Sequence, residues 1–232
     1  MKLFIALFLL LLFTLPIAGT SQLTVDNTTM TVEQYIQNVL LGGGVTISNV
    51  QFNGGSAAVN NAQVGSFTDA SSFVGLGGGL IMGSGDVSMA TQANTGGGSS
   101  MGGSGSMGSD IDLASITINQ IWDEAVIEFD FVPDGDTIKF NYVFASEEYD
   151  EYVCGSVNDA FGFFLTGANP GGGLYAAQNI ALIPDPANPG QYTTTPVSIN
   201  TVNLGVAGSN GNLATCTAID PNFAAYNIYY TQ

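Results

Sequence analysis

Residues Ala125 to Val132 read AVIEFDFV, so an extended chain puts Ile127, Phe129 and Phe131 on one face and Glu128 and Asp130 on the other. Thr137 to Ser146 repeats the pattern, with Ile138, Phe140, Tyr142 and Phe144 sharing a face. Pro133-Asp-Gly-Asp136 between them has turn chemistry, and the two runs are expected to pair as an antiparallel hairpin. Other short β-branched or aromatic runs lie at Val45 to Phe52, Gly65 to Phe67, Gly79 to Met82, Ala160 to Thr166, Asn179 to Ile183 and Val197 to Val202. Gly, Asn, Asp and Pro separate them. That grammar predicts an all-β fold, mainly an antiparallel β-sandwich. One segment departs from it. Thr31-Val-Glu-Gln34 has the form of a capping box, and Val32, Tyr35, Ile36, Val39 and Leu40 recur at helical spacing. With Gly42 as a left-handed stop, this predicts a single N-terminal helix packed on the sheet.

The start of the chain follows a third pattern. Lys2 precedes an apolar run from Leu3 to Leu15, and Pro16 leads into the small residues Ala18-Gly-Thr-Ser21. This is the layout of a secretory signal peptide over residues 1–21, too short in its apolar part for a spanning helix. Residues 22–232 are expected to form one exported domain. Within it, residues 94–109 (NTGGGSSMGGSGSMGS) are rich in Gly and Ser and read as a flexible surface loop.

Charge narrows the function. Removing Lys2 leaves Lys139 as the one basic side chain against 19 Asp and Glu, and 1 − 19 gives a formal charge of −18. Nucleic acid is excluded as a partner, since phosphate neutralisation needs a basic patch. The chain contains no histidine, so neither a Ser-His-Asp nor a Cys-His nucleophile can be built, and any catalysis would have to come from carboxylates or a metal; no enzymatic activity is expected. Cys154 and Cys216, the two cysteines, are expected to form one disulfide in an exported chain.

The densest polar stretch, FASEEYDEYVCGSVNDAFGFFLTG (Phe144 to Gly167), holds Glu147, Glu148, Asp150, Glu151, Asn158 and Asp159. Glu147 and Glu148 are neighbours and would point to opposite faces of a strand, which disfavours a glycosidase pair; Glu128 and Asp130 share a face but read as a solvated row. Calcium takes six to eight hard oxygens. Glu147, Glu148, Asn158 and Asp159 can supply some of them if the intervening loop folds back, with Asp110 and Asp112 as helpers. Against that stands a structural reading, in which the same residues cap strand ends. Tyr149 and Tyr152, set among the acids, offer a binding surface for sugar rings or a protein partner.

Phe144-Ala-Ser-Glu-Glu-Tyr149 followed by Asn158-Asp-Ala-Phe-Gly-Phe-Phe-Leu165 resembles the signature of the choice-of-anchor L domain. Gly79-Leu-Ile-Met-Gly-Ser-Gly85, Asp110-Ile-Asp-Leu113, Ala125 to Phe131, Asn179 to Ile183 and Val197-Ser-Ile-Asn-Thr-Val-Asn203 extend the resemblance over nearly the whole mature chain. It implies a bacterial protein, secreted or displayed at the cell surface, working in adhesion or matrix. Asp159-Ala-Phe-Gly-Phe-Phe-Leu165 is also similar, over a short span, to a strand of legume-type lectins. The expected function is therefore a non-catalytic adhesion or recognition module, calcium-dependent and carbohydrate-binding. The alternatives are a structural subunit that self-associates through an open sheet edge and, behind it, a polysaccharide hydrolase using Glu128 or Glu148. Family members usually continue beyond the Tyr229-Tyr230 region with further strands and an anchor, so a C-terminally shortened domain is expected.

Overall fold

The computed structural model describes residues 23–41, 45–70, 74–94, 103, 105–117 and 119–231. The segment expected to be a signal peptide, the expected Gly42 stop and residues 95–102 and 104 of the Gly/Ser-rich stretch lie outside the described residues. The fold is all-β and sandwich-like, built from small antiparallel sheets with a short helix near the N-terminus.

In the first sheet, β4 (Val64–Asp69) lies between β1 (Leu23–Asp26) and β5 (Gly78–Met82). In the second, β2 (Val45–Phe52) lies between β3 (Gly55–Ser56) and β6 (Ile127–Pro133). The β2–β3 hairpin turns at Asn53-Gly54, both at positive φ (47° and 68°), the mirror-image turn that Asn-Gly favours. In the third, β11 (Tyr192–Ser198) lies between β10 (Leu182–Pro184) and β7 (Ala160–Phe161), and β8 (Phe164–Ala168) pairs separately with β9 (Leu174–Asn179).

The capping box is present. Thr31 Oγ1 accepts from the Gln34 amide at 3.3 Å, and Gln34 Oε1 accepts from the Thr31 amide at 2.9 Å. It starts α1 (Val32–Tyr35), which runs on as a π-helical turn over Ile36–Leu40. Val32 and Tyr35 pack with Phe52, Ala57 and Val64 into one core. Burial of side chains of this size stabilises by about 1.5–3 kcal/mol each. A second core gathers Val153, Cys154, Ile183, Val197, Cys216, Phe223 and Tyr226. Here Cys216 of α3 (Leu213–Ile219) and Phe223 and Tyr226 of a 3-10 turn over Phe223–Tyr229 share the core with Ile183 of β10 and Val197 of β11.

Several expected strands differ. The hairpin between Ala125–Val132 and Thr137–Ser146 does not form: β6 pairs with β2, and residues 137–146 carry no strand. The rings explain where that segment lies. Phe140 packs on Phe163 with centroids 4.6 Å apart, and Tyr142 on Phe161 at 5.0 Å, so side chains rather than a ladder hold it. The run Ala160–Thr166 splits into β7 and β8 at Gly162, where a Cβ would sit 2.5 Å from the Phe164 ring. Asn179 bends the next run, its Oδ1 accepting from the Phe163 and Ala181 amides at 3.1 and 3.0 Å. The run Val197–Val202 ends as a strand at Ser198, whose amide is taken by Thr201 Oγ1 at 2.9 Å.

Candidate functional site

The acidic stretch folds as a series of turns over residues 147–154, and it is fastened from three directions. Cys154 is disulfide-bonded to Cys216, a bridge across a sequence separation of 62. Asn200, 1 % exposed, accepts from the Cys154 amide through Oδ1 at 2.6 Å and donates through Nδ2 to the Gly155 carbonyl at 3.2 Å. Cys154 itself has φ 61°, a left-handed value that a β-carbon disfavours, and these bonds hold it there. The third fastening is a neighbouring loop. Gly208, Asn210 and Asn212 donate their amides to the carbonyls of Val153, Glu151 and Cys154 at 2.8–3.0 Å. Backbones come so close that a Cβ on Gly211 would lie 1.9 Å from the Val153 carbonyl oxygen. Only glycine fits there.

On this scaffold the predicted ligands divide. Ser146 ties two of them together: its hydroxyl donates to Asp159 Oδ2 at 2.7 Å and accepts from the Glu148 amide at 3.0 Å. Glu148 is half-buried, and its Oε2 is out of solvent with no hydrogen-bond partner. Burial, then the charges of Asp159, Glu147 and Glu151, push its pKa up from 4.5 to about 7. Asp159, Glu147 and Glu151 thus each act on Glu148. Asn158 is turned to a structural task, accepting from the Asn200 amide at 3.1 Å.

Asp110 and Asp112 are not among the carboxylates acting on Glu148. Asp110 is instead the N-cap of α2 (Ile111–Ile116), its Oδ1 accepting from the Asp112 and Leu113 amides at 3.0 and 2.7 Å. A capping Asp and a metal-binding Asp look alike in sequence, and the role seen for Asp110 is the cap. Among the described residues, no group of three or more His, Cys, Asp or Glu is arranged to hold a metal ion.

Tyr149 also departs from its expected place on a binding surface. Its hydroxyl donates to the Val202 carbonyl, its ring packs against Tyr230 at 4.9 Å, and it lies on the second core. Burial raises its phenol pKa, with Tyr230, Asp159 and Asp150 adding to the effect. Tyr230 in turn donates to Asp150 Oδ1 at 2.7 Å. Tyr152 is half-buried, and its backbone spans the turn, donating to Glu148 and accepting from Gly155. Ser146 and Asn200 are the functional-looking residues that sequence reasoning missed. Ser146 stands inside the Phe144–Tyr149 motif and was within reach; nothing in sequence ties Asn200 to a cysteine 46 positions away.

A family model for the choice-of-anchor L domain matches residues 24–232. The chain belongs to this family. No curated protein and no solved structure matches it. A choice-of-anchor L domain marks a surface-associated or secreted bacterial protein, and the family is not a known enzyme family. The disulfide is consistent with an extracellular location. Among the described residues no helix is long and apolar enough to cross a membrane.

Proposed function

We propose that this choice-of-anchor L domain is a non-catalytic recognition module for an extracellular glycan or protein, and that its acidic loop takes up calcium. The observation that carries the calcium reading is Glu148: a carboxylate with an unpartnered, buried oxygen, pressed by Asp159, Glu147 and Glu151. A divalent cation relieves that repulsion and supplies Oε2 with a partner. Two carboxylates with backbone carbonyls and water make a modest calcium site, of the weak kind suited to extracellular modules. The disulfide, Asn200 and the glycine contacts hold the loop in place before any ion arrives, which reduces the cost of ordering it on binding. Calorimetric titration with calcium, paired with a glycan-array screen with and without chelator, tests the reading. Heat on titration and chelator-sensitive glycan signal are expected; neither heat nor signal would overturn it.

A specific observation also favours self-association. Among the described residues, Thr137 to Ala145 make no backbone hydrogen bond, and β6 ends its sheet with one edge unpaired. An extended segment and a free edge in one chain are the parts needed for strand exchange between copies. Electron microscopy of concentrated protein distinguishes the two: filaments support exchange, and monodisperse particles support the recognition module alone.

A further inference from the structure

The chain has one tryptophan, and it belongs to neither core. Trp122 is 55 % exposed, and Met107, its partner across an isolated antiparallel bridge, is 64 % exposed. Bridge partners carry their side chains on the same face. Leaving these two in water forgoes an aromatic burial that dominates core energetics elsewhere.

The ribbon that presents them is built, and the described end of the Gly/Ser-rich stretch is part of it. Gly108 donates to the Ile121 carbonyl and Asp123 to the Ser106 carbonyl, both at 2.9 Å. Asp123 Oδ1 accepts from the Ser106 amide at 3.2 Å, and Glu124 Oε2 accepts from the Ser109 and Asp110 amides at 3.0 Å each. At Gly108 a Cβ would meet the Ile121 side chain at 2.6 Å and Glu124 Oε2 at 2.7 Å. The ribbon is moored to the acidic loop as well, through Asn119 Nδ2 donating to the Ser156 carbonyl at 2.6 Å.

We propose that Trp122, with Met107 beside it, is a contact platform for a neutral saccharide, one sugar ring lying on the indole. The inference rests on the recognition reading above and gives it a contact surface. A pyranose offers a C–H face and a rim of hydroxyls; an exposed indole offers an apolar face and a donor at its edge. Two side chains that lie two positions from the bridge, Gln120 and Ser109, are exposed and uncharged and suit that rim. The two acidic neighbours, Asp123 and Glu124, are engaged by loop amides. Acidic glycans and anionic lipids are repelled by a charge of −18, from 1 − 19 in the mature chain. A protein partner needs about 800 Å² on each side. The exposed apolar side chains of the bridge are Trp122 and Met107, with Ile111 four residues further along the chain and Gly and Ser between, which fits one or two sugar rings better.

The sole tryptophan makes the test direct. Mature protein is titrated with cellohexaose, laminarihexaose, mannohexaose and chitohexaose, following indole fluorescence and then calorimetry. At least one oligosaccharide is expected to shift the emission saturably at sub-millimolar to millimolar concentration. Trp122→Ala should weaken that binding at least tenfold with its melting temperature unchanged, and Met107→Ala a few-fold. No response to any of the four, or undiminished binding by Trp122→Ala, overturns the platform. So does a blue shift that grows with protein concentration alone, which assigns the face to a second copy. Protein that ignores all four sugars yet gains stability from calcium loses the platform but keeps the calcium reading. Protein that binds a sugar through Trp122 yet ignores calcium keeps the platform and loses the calcium reading.

Discussion

The two cores of this domain are held by different forces. The N-terminal one, around Val32, Tyr35, Phe52, Ala57 and Val64, is apolar and surrounded by strand ladders. The C-terminal one contains a disulfide and borders Thr195, Ser198, Asn200, Thr201, Asn203 and Asp220, buried polar residues that each make hydrogen bonds. Outside that segment Asp69 is the other buried polar side chain among the described residues. The apolar core is non-directional and tolerates rearrangement. The polar one specifies geometry, and it stands directly beneath the acidic loop. Rigidity has been placed where the candidate site is.

The largest expected effect comes from removing the staple. Cys154→Ser with Cys216→Ser should cost about 4 kcal/mol on the chain-entropy account of a loop this long. Hydrogen exchange should show protection lost around Val153 and Ile183 first, and around Val32 and Val64 last. Uniform loss would break the contrast between the cores. Next, Asp220→Ala should cost about 2–4 kcal/mol. Burial alone would raise the Asp220 pKa, but donors from Thr195, Asn222 and Tyr226 outweigh it and hold the carboxyl below its ordinary value. A depressed pKa contributes stability that is present above about pH 4 and lost as pH falls through the folded value. Urea melts of wild type and variant should therefore converge in acid.

One substitution made in both cores sharpens the comparison further. Tyr226→Phe removes a 2.7 Å donor to Asp220 Oδ2 and should cost about 1–2 kcal/mol. Tyr35→Phe removes a buried hydroxyl with no partner at hydrogen-bond geometry, its influence ranking last among those that lower the Asp26 carboxyl. It should stay within about 0.5 kcal/mol of wild type. Equal losses in the two variants would contradict the polar-versus-apolar distinction. Thr31→Ala should cost about 1 kcal/mol through the lost cap, read from thermal melts and confined to the first core.

Sequence pattern carried the first core further than the second. Thr31 and Gln34 lie three residues apart, so their capping box is visible locally, and Asn-Gly marks the β2–β3 turn in two letters. The cysteine pair followed from counting. The environment of the acidic stretch did not, because it depends on Asn200 and on the glycines at 208 and 211, which come close only once the chain has folded. Alternation was misleading at Thr137–Ser146: the aromatic face exists, but Phe161 and Phe163 take it rather than β6. Trp122 gave no periodic signal at all, since its neighbours in sequence are neither strand-like nor helical.

Glu148 connects the rigid core to the proposed function, and its titration gives the most direct measurement. Because its folded pKa is raised to about 7, it penalises the folded state increasingly as pH climbs from about 4.5 to 7. The penalty is on the order of 1 kcal/mol once solvent screening of a partly exposed group is allowed for. The decisive comparison is the melting temperature of wild type and Glu148→Gln at pH 8, each with and without millimolar calcium. Without calcium the glutamine variant should melt higher; with calcium the wild type should rise to meet or pass it while the variant stays unmoved. A wild type indifferent to calcium, or a variant that gains as much from it, would contradict the account.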